Sequence, residues 1–165
     1  MTTAAPDDPS QPPPPRTLEV IAWVLLAAGA MVLLLRYGDL GEVPTHFGAS
    51  GEPDDWGPRW ALLVLLALWV GLLAGTTLLA RRPQWHSYPR EVTDQNRAVL
   101  HLESSRMMSW TGVGLSTVFL GIVLGATSSA SASPSQSTGL AISCAGLVLV
   151  LAAPVVGIVR MLRVG

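Results

Sequence analysis

The chain contains no lysine, one cysteine, and so few charges that Asp, Glu, Lys and Arg together make up 13% of its 165 residues. A soluble globule carries about 25%. The formal net charge of −1 provides no field for drawing in nucleic acid, and the arginines are spread among polar segments instead of sharing one face. No nucleic-acid partner is expected. Cys144 stands alone inside an apolar run, which excludes an internal disulfide and a cysteine-based zinc site and predicts a small buried residue. The chain also lacks a Gly-x-Ser-x-Gly elbow, a Walker loop, a dinucleotide fingerprint and a His-Glu-x-x-His pair. With no nucleophile and base in a recognisable arrangement, neither an enzymatic activity nor a cofactor is expected.

What is abundant is apolar sequence, 50% of the residues, gathered into four runs. A helix crossing a bilayer core of about 30 Å needs ~20 such residues. Leu18–Leu35, Trp60–Ala80, Met107–Ala126 and Leu140–Val159 are each about that long, the last containing Pro154 and an expected kink. The fold class expected is therefore all-α, an integral membrane protein with four transmembrane helices. Residues 1–16 are expected to form a disordered, proline-rich tail and 17–165 the membrane domain. The first run is read as a retained span and not a cleaved signal, because its leader carries two acids and four consecutive prolines. A flexible serine-rich connection, Thr127 to Gly139, is expected between the last two spans.

Arginine placement gives the orientation. Arg16, Arg81, Arg82, Arg90, Arg97, Arg106, Arg160 and Arg163 fall on one side of the spans, and only Arg36 and Arg59 on the other. By the positive-inside rule both termini and loop 81–106 are cytoplasmic, and loop 36–59 is external. The bacterial plasma membrane, crossed several times, is the expected location. Within the cytoplasmic loop, Thr93 is expected to cap a helix from Asp94 that grazes the interface, with His86 and His101 solvated or interfacial.

The spans carry small residues every four positions, Ala67, Gly71 and Gly75 on the second and Thr117, Gly121 and Gly125 on the third. This predicts that those two helices pack closely against each other. The span interiors hold no ionisable residue, which argues against a proton-coupled transporter, a pump or an intramembrane protease. A small homo-oligomeric channel or transporter lined by Ser116, Thr117 or Ser143 is the alternative. Such hydroxyls more often bond to the preceding helical turn.

The stretch from Pro44 to Trp60, PTHFGASGEPDDWGPRW, is the one not explained by a lipid-embedded helix. His46, Glu52, Asp54 and Asp55 are the kinds of side chain that hold a divalent ion, so metal binding by His46, Asp54 and Asp55 is a second alternative, although their spacing matches no ligand motif. The same residues also suit a compact turn back into the membrane. Its glycines and prolines would set the bends, Trp56 and Trp60 would anchor at headgroup level, Phe47 would tuck beneath the loop and Arg59 would reach toward phosphates.

The loop's Val43-Pro44-Thr45-His46-Phe47, Gly51-Glu52-Pro53-Asp54 and Trp56-Gly57-Pro58-Arg59 resemble the signature of a bacterial membrane domain of unknown function. That domain also forms the N-terminal part of the immunity proteins for the sporulation-delaying toxin. The resemblance implies an uncharacterised integral membrane protein, a sensor or protector, with Pro44, His46, Gly51, Asp54 and Trp56 at the matching positions. Together with Phe47, Glu52 and Arg59 these are the candidate residues for recognising a ligand, a peptide or a partner membrane protein. The lipid bilayer is the other expected partner.

Overall fold

The computed structural model describes residues 16–48, 53–129 and 135–163. The expectations for the N-terminal tail, Gly51 and Glu52 lie outside the described residues, as does that for the Phe47 side chain. Four long helices dominate: α1, Arg16–Arg36; α2, Ala61–Ala80; α3, Arg97–Ser129; and α4, Ser135–Leu162. All four are long and apolar enough to cross a membrane. Their composition explains why the chain is helical there. Away from water only a helix satisfies its own backbone donors and acceptors segment by segment.

Two boundaries differ from the sequence reading. No break separates an interfacial helix from the third span: α3 is continuous for 33 residues, about 50 Å at 1.5 Å per residue. The stretch from Arg97 to Met107 contains no proline or glycine to end a helix, so local rules favour continuation. It begins at Arg97, three residues after the expected Asp94, and the side chain that ties its start is that of Asn96: the Thr93 N–H donates to Asn96 Oδ1 at 2.8 Å, and the Arg97 N–H to the Thr93 carbonyl at 2.9 Å. The serine-rich connection is also shorter than expected, because α3 extends to Ser129 and α4 begins at Ser135. The α4 helix continues through Pro154 without interruption.

Helix α3 is the centre of the bundle, packing against α1, α2 and α4, whereas α4 packs chiefly against α3. The expected pairing through Gly71 and Gly75 is not observed, since a side chain built at either would meet nothing within 4 Å. The close seam is instead between α3 and α4. A Cβ on Gly139 would lie 2.6 Å from Gly125 N and 2.7 Å from Gly121 O, and one on Gly146 would lie 2.5 Å from Val118 N. Backbone meets backbone there, which only glycine permits. Ser143 closes the seam by donating to the Val118 carbonyl at 3.2 Å. Cys144, expected to be buried, is exposed on α4.

The junction of α1, α2 and α3 is organised by Trp69. Its side chain is fully buried, stacks on Phe119 with ring centroids 5.4 Å apart, and donates its indole N–H to Ser116 Oγ at 3.4 Å. A Cβ on Gly29 of α1 would fall 2.6 Å from the Trp69 ring, so glycine is what lets α1 pass over it. Ser116 is fully enclosed and Thr117 donates to the Val113 carbonyl at 2.8 Å. The Ser116 hydroxyl thus joins α3 to α2, and that of Thr117 bonds to the preceding turn of its own helix.

Between α1 and α2 the loop is not irregular. A 3₁₀ turn, Tyr37–Asp39, leads into an antiparallel hairpin of β1, Glu42–Phe47, and β2, Pro53–Pro58. The all-α expectation therefore needs this addition. Leu40 and Val43 at the base of the hairpin are buried in the same apolar cluster as Val123 and Ala126 of α3. That seats the base of the hairpin on the bundle.

Candidate functional site

The hairpin's pairing is irregular, and the irregularity sets its chemistry. Glu42 pairs with Pro58, Val43 with Gly57 and Pro44 with Trp56. The register then shifts on either side of His46, which lies opposite Asp55. A bulge of this kind turns side chains away from their strict alternation. Here the His46 ring meets Asp54, with Nδ1 2.5 Å from Oδ1, while Thr45 Oγ1 donates to Asp55 Oδ2 at 3.1 Å. Gly57 is required by the same geometry, because a Cβ there would lie 2.7 Å from the Thr45 methyl.

The His46–Asp54 pair is exposed, with 68% and 52% of the respective side-chain surfaces open to solvent. An ionised carboxylate only accepts hydrogen bonds, so Nδ1 is the donor and the ring is held with Nε2 directed away from Asp54. In neutral histidine Nε2 accepts a hydrogen bond, and in the cation it donates one. The dyad is thus an oriented polar group at the surface. Trp56 on β2, 46% exposed, places a flat amphipathic ring on the same strand as Asp54.

Arg59 does not reach outward. Its Nη1 donates to the carbonyls of Tyr37 and Leu40, each at 3.3 Å, and the guanidinium lies over the Tyr37 ring at 5.0 Å. The end of β2 is thereby clamped to the 3₁₀ turn that follows α1, and Arg59 is a positioning residue for the hairpin. Trp60, 59% exposed just before α2, has the exposure expected of an interfacial anchor. Pro44 is buried at the hairpin's base.

Of the candidate metal ligands, the structure brings His46 and Asp54 together and leaves Asp55 on Thr45. Among the described residues no group of three His, Cys, Asp or Glu side chains converges. The two other histidines, expected to be solvated or interfacial, are packed against the protein. His101 is buried, and Tyr88 stacks on it at 5.7 Å and shares a hydrogen bond with Ser104 at 3.0 Å. Both ring nitrogens of His86 are shut from solvent without a partner of good geometry.

Sequence reasoning also missed a buried charge. Glu19, in the first turn of α1, is 5% exposed and accepts two hydrogen bonds from Arg81 at the end of α2, at 2.6 and 3.0 Å. The signal was present: antiparallel neighbouring helices place the start of one beside the end of the next. Glu103 is similarly enclosed between Arg106 at 2.8 Å and Arg160 at 3.7 Å.

The hairpin lies within the part of the chain that known proteins share. Residues 24–70 match the family described as a domain of unknown function (DUF1648). The DUF1648 match begins inside α1, takes in the whole hairpin and ends inside α2. An uncharacterized protein of Archaeoglobus fulgidus is 46% identical over 65 residues, a stretch covering 34% of this chain and 36% of that protein. The chain thus matches about a third of that relative's length. No solved structure matches.

Proposed function

We propose that this is a non-enzymatic protein of the bacterial plasma membrane whose external hairpin recognises a peptide, an envelope component or a partner protein, in the manner of a sensor or immunity protein. Both termini lie in the cytoplasm in this reading, because eight of the ten arginines then fall on the inner side. The observation that carries it is the exposed, mutually oriented His46–Asp54 pair, held beyond the helix ends by the Arg59 clamp. Side chains, not strand edges, make the contact. Pro44, Pro53 and Pro58 remove backbone donors from both strands, which blunts them against addition of a further strand.

The resemblance to toxin-immunity domains narrows the readout to protection against a membrane-active peptide or envelope stress. A deletion strain is complemented with the wild-type gene or with His46→Ala, Asp54→Ala or Trp56→Ala, and survival under peptide challenge is measured. Loss of protection by His46→Ala and Asp54→Ala at normal protein abundance is expected, by about tenfold if a charge-assisted contact of ~1.5 kcal/mol is removed. Full complementation by both would remove the hairpin from the mechanism.

A further inference from the structure

At the end of the bundle opposite the hairpin, α3 and α4 border a groove of about 280 Å³ beside the close contact of Gly157 with Met107. Its floor is apolar, formed by Trp110, Leu149, Ala153 and Val156, and its mouth carries Arg106 and Arg160. We propose that this groove binds one anionic phospholipid, with the phosphate on the two guanidinium groups and an acyl chain along the apolar floor.

Charge and exposure point to this occupant. Glu103 is shared by Arg106 at 2.8 Å and Arg160 at 3.7 Å, so two cations surround one carboxylate and a single positive charge is in excess. That excess matches the single negative charge of a phosphodiester. The longer contact leaves the Arg160 donors free to turn, and its side chain is 54% exposed. The floor continues into the outward face of α4, where Val148, Leu151 and Val155 are each more than 60% exposed. Against such a face hydrocarbon is the natural neighbour. Arginines at the end of an apolar helix reach the level of the phosphates, where each is worth about 1 kcal/mol toward an anionic surface.

The test uses the purified full-length protein in mild detergent, mixed with equal amounts of phosphatidylglycerol and phosphatidylcholine, with retained lipid read by native mass spectrometry. Phosphatidylglycerol is expected to be retained preferentially, and Arg160→Gln to weaken its retention roughly five- to tenfold. Ala153→Leu fills the floor while keeping both arginines, and is expected to weaken it comparably. Circular dichroism of each variant checks that the helices are intact. Equal retention of the two lipids, or no change in Arg160→Gln, would overturn the proposal. So would unchanged retention in Ala153→Leu, which would leave headgroup attraction without a groove. Displacement by inorganic phosphate at the lipid's own concentration would also overturn it, by identifying a free-anion site. His46→Ala is expected to leave retention unchanged, which separates this site from the hairpin.

Discussion

At the scale of single residues, tightness is decided by what stands opposite, and spacing alone does not reveal it. Gly71 and Gly75 have the four-residue repeat of a packing groove, yet open space faces both. Gly29 belongs to no such repeat but lies under the ring of Trp69. A tryptophan in the middle of a neutral run gives no sign that a helix 40 residues earlier passes over it. We expect Gly29→Ala to destabilise the protein by roughly 1–3 kcal/mol, because the ring is enclosed on its other side by Phe119 and Ser116 and cannot move away. Gly71→Ala is expected to change stability by less than about 0.5 kcal/mol. Thermal unfolding of both variants in one detergent gives the comparison. Equal midpoints would mean that the α1 crossing is looser than described. His46 and Asp54 were legible as candidates because their types stand out in an apolar chain. Their direct contact was not, since it depends on a bulge that shifts register by one residue.

At the scale of elements, the four helices were legible because length and hydropathy are summed over ~20 residues and tolerate local error. The hairpin was not. Three prolines within two six-residue strands argue against a sheet, and what overrides them is the anchoring of Leu40 and Val43 in the bundle together with the Arg59 clamp. The histidines of the connection between α2 and α3 are expected to be solvated or interfacial, and that connection folds onto the bundle through Pro83, Tyr88 and His101. This has a pH consequence. Burial pushes the pKa of His86 below its ordinary 6.5, an effect the nearby Leu79 carbonyl only partly offsets. A folded-state pKa below the unfolded one means that the unfolded chain takes up the proton first. The contribution of His86 to stability is therefore complete above about pH 6.5 and is lost as the pH falls through its lower folded value. The wild-type unfolding midpoint is expected to drop between pH 7.5 and 5.5, and that of His86→Phe to drop less. Parallel pH profiles for the two proteins would assign the effect to other groups.

At the scale of the whole molecule, the charges divide by end. One end holds the Arg59 clamp and the His46–Asp54 pair, and the other holds two carboxylates, Glu19 and Glu103, each drawn in against arginine. The arginine asymmetry that suggests an orientation is therefore also a set of ties between helices. Glu19–Arg81 links the first turn of α1 to the end of α2, two helices that touch each other little compared with their contact with α3. The pair is lopsided, Glu19 being buried and Arg81 59% exposed. Removing the arginine strands a carboxylate with one oxygen already unpartnered, whereas removing the carboxylate leaves a cation that water or phosphate can solvate. Arg81→Gln is thus expected to cost more than Glu19→Gln. Screening at the exposed partner holds the loss to roughly 1–3 kcal/mol, below that of a fully buried pair. In a double-mutant cycle the combined variant should be more stable than the sum of the single losses predicts, since it leaves no charge behind. Strict additivity in unfolding measurements would show that α1 and α2 are joined only through α3.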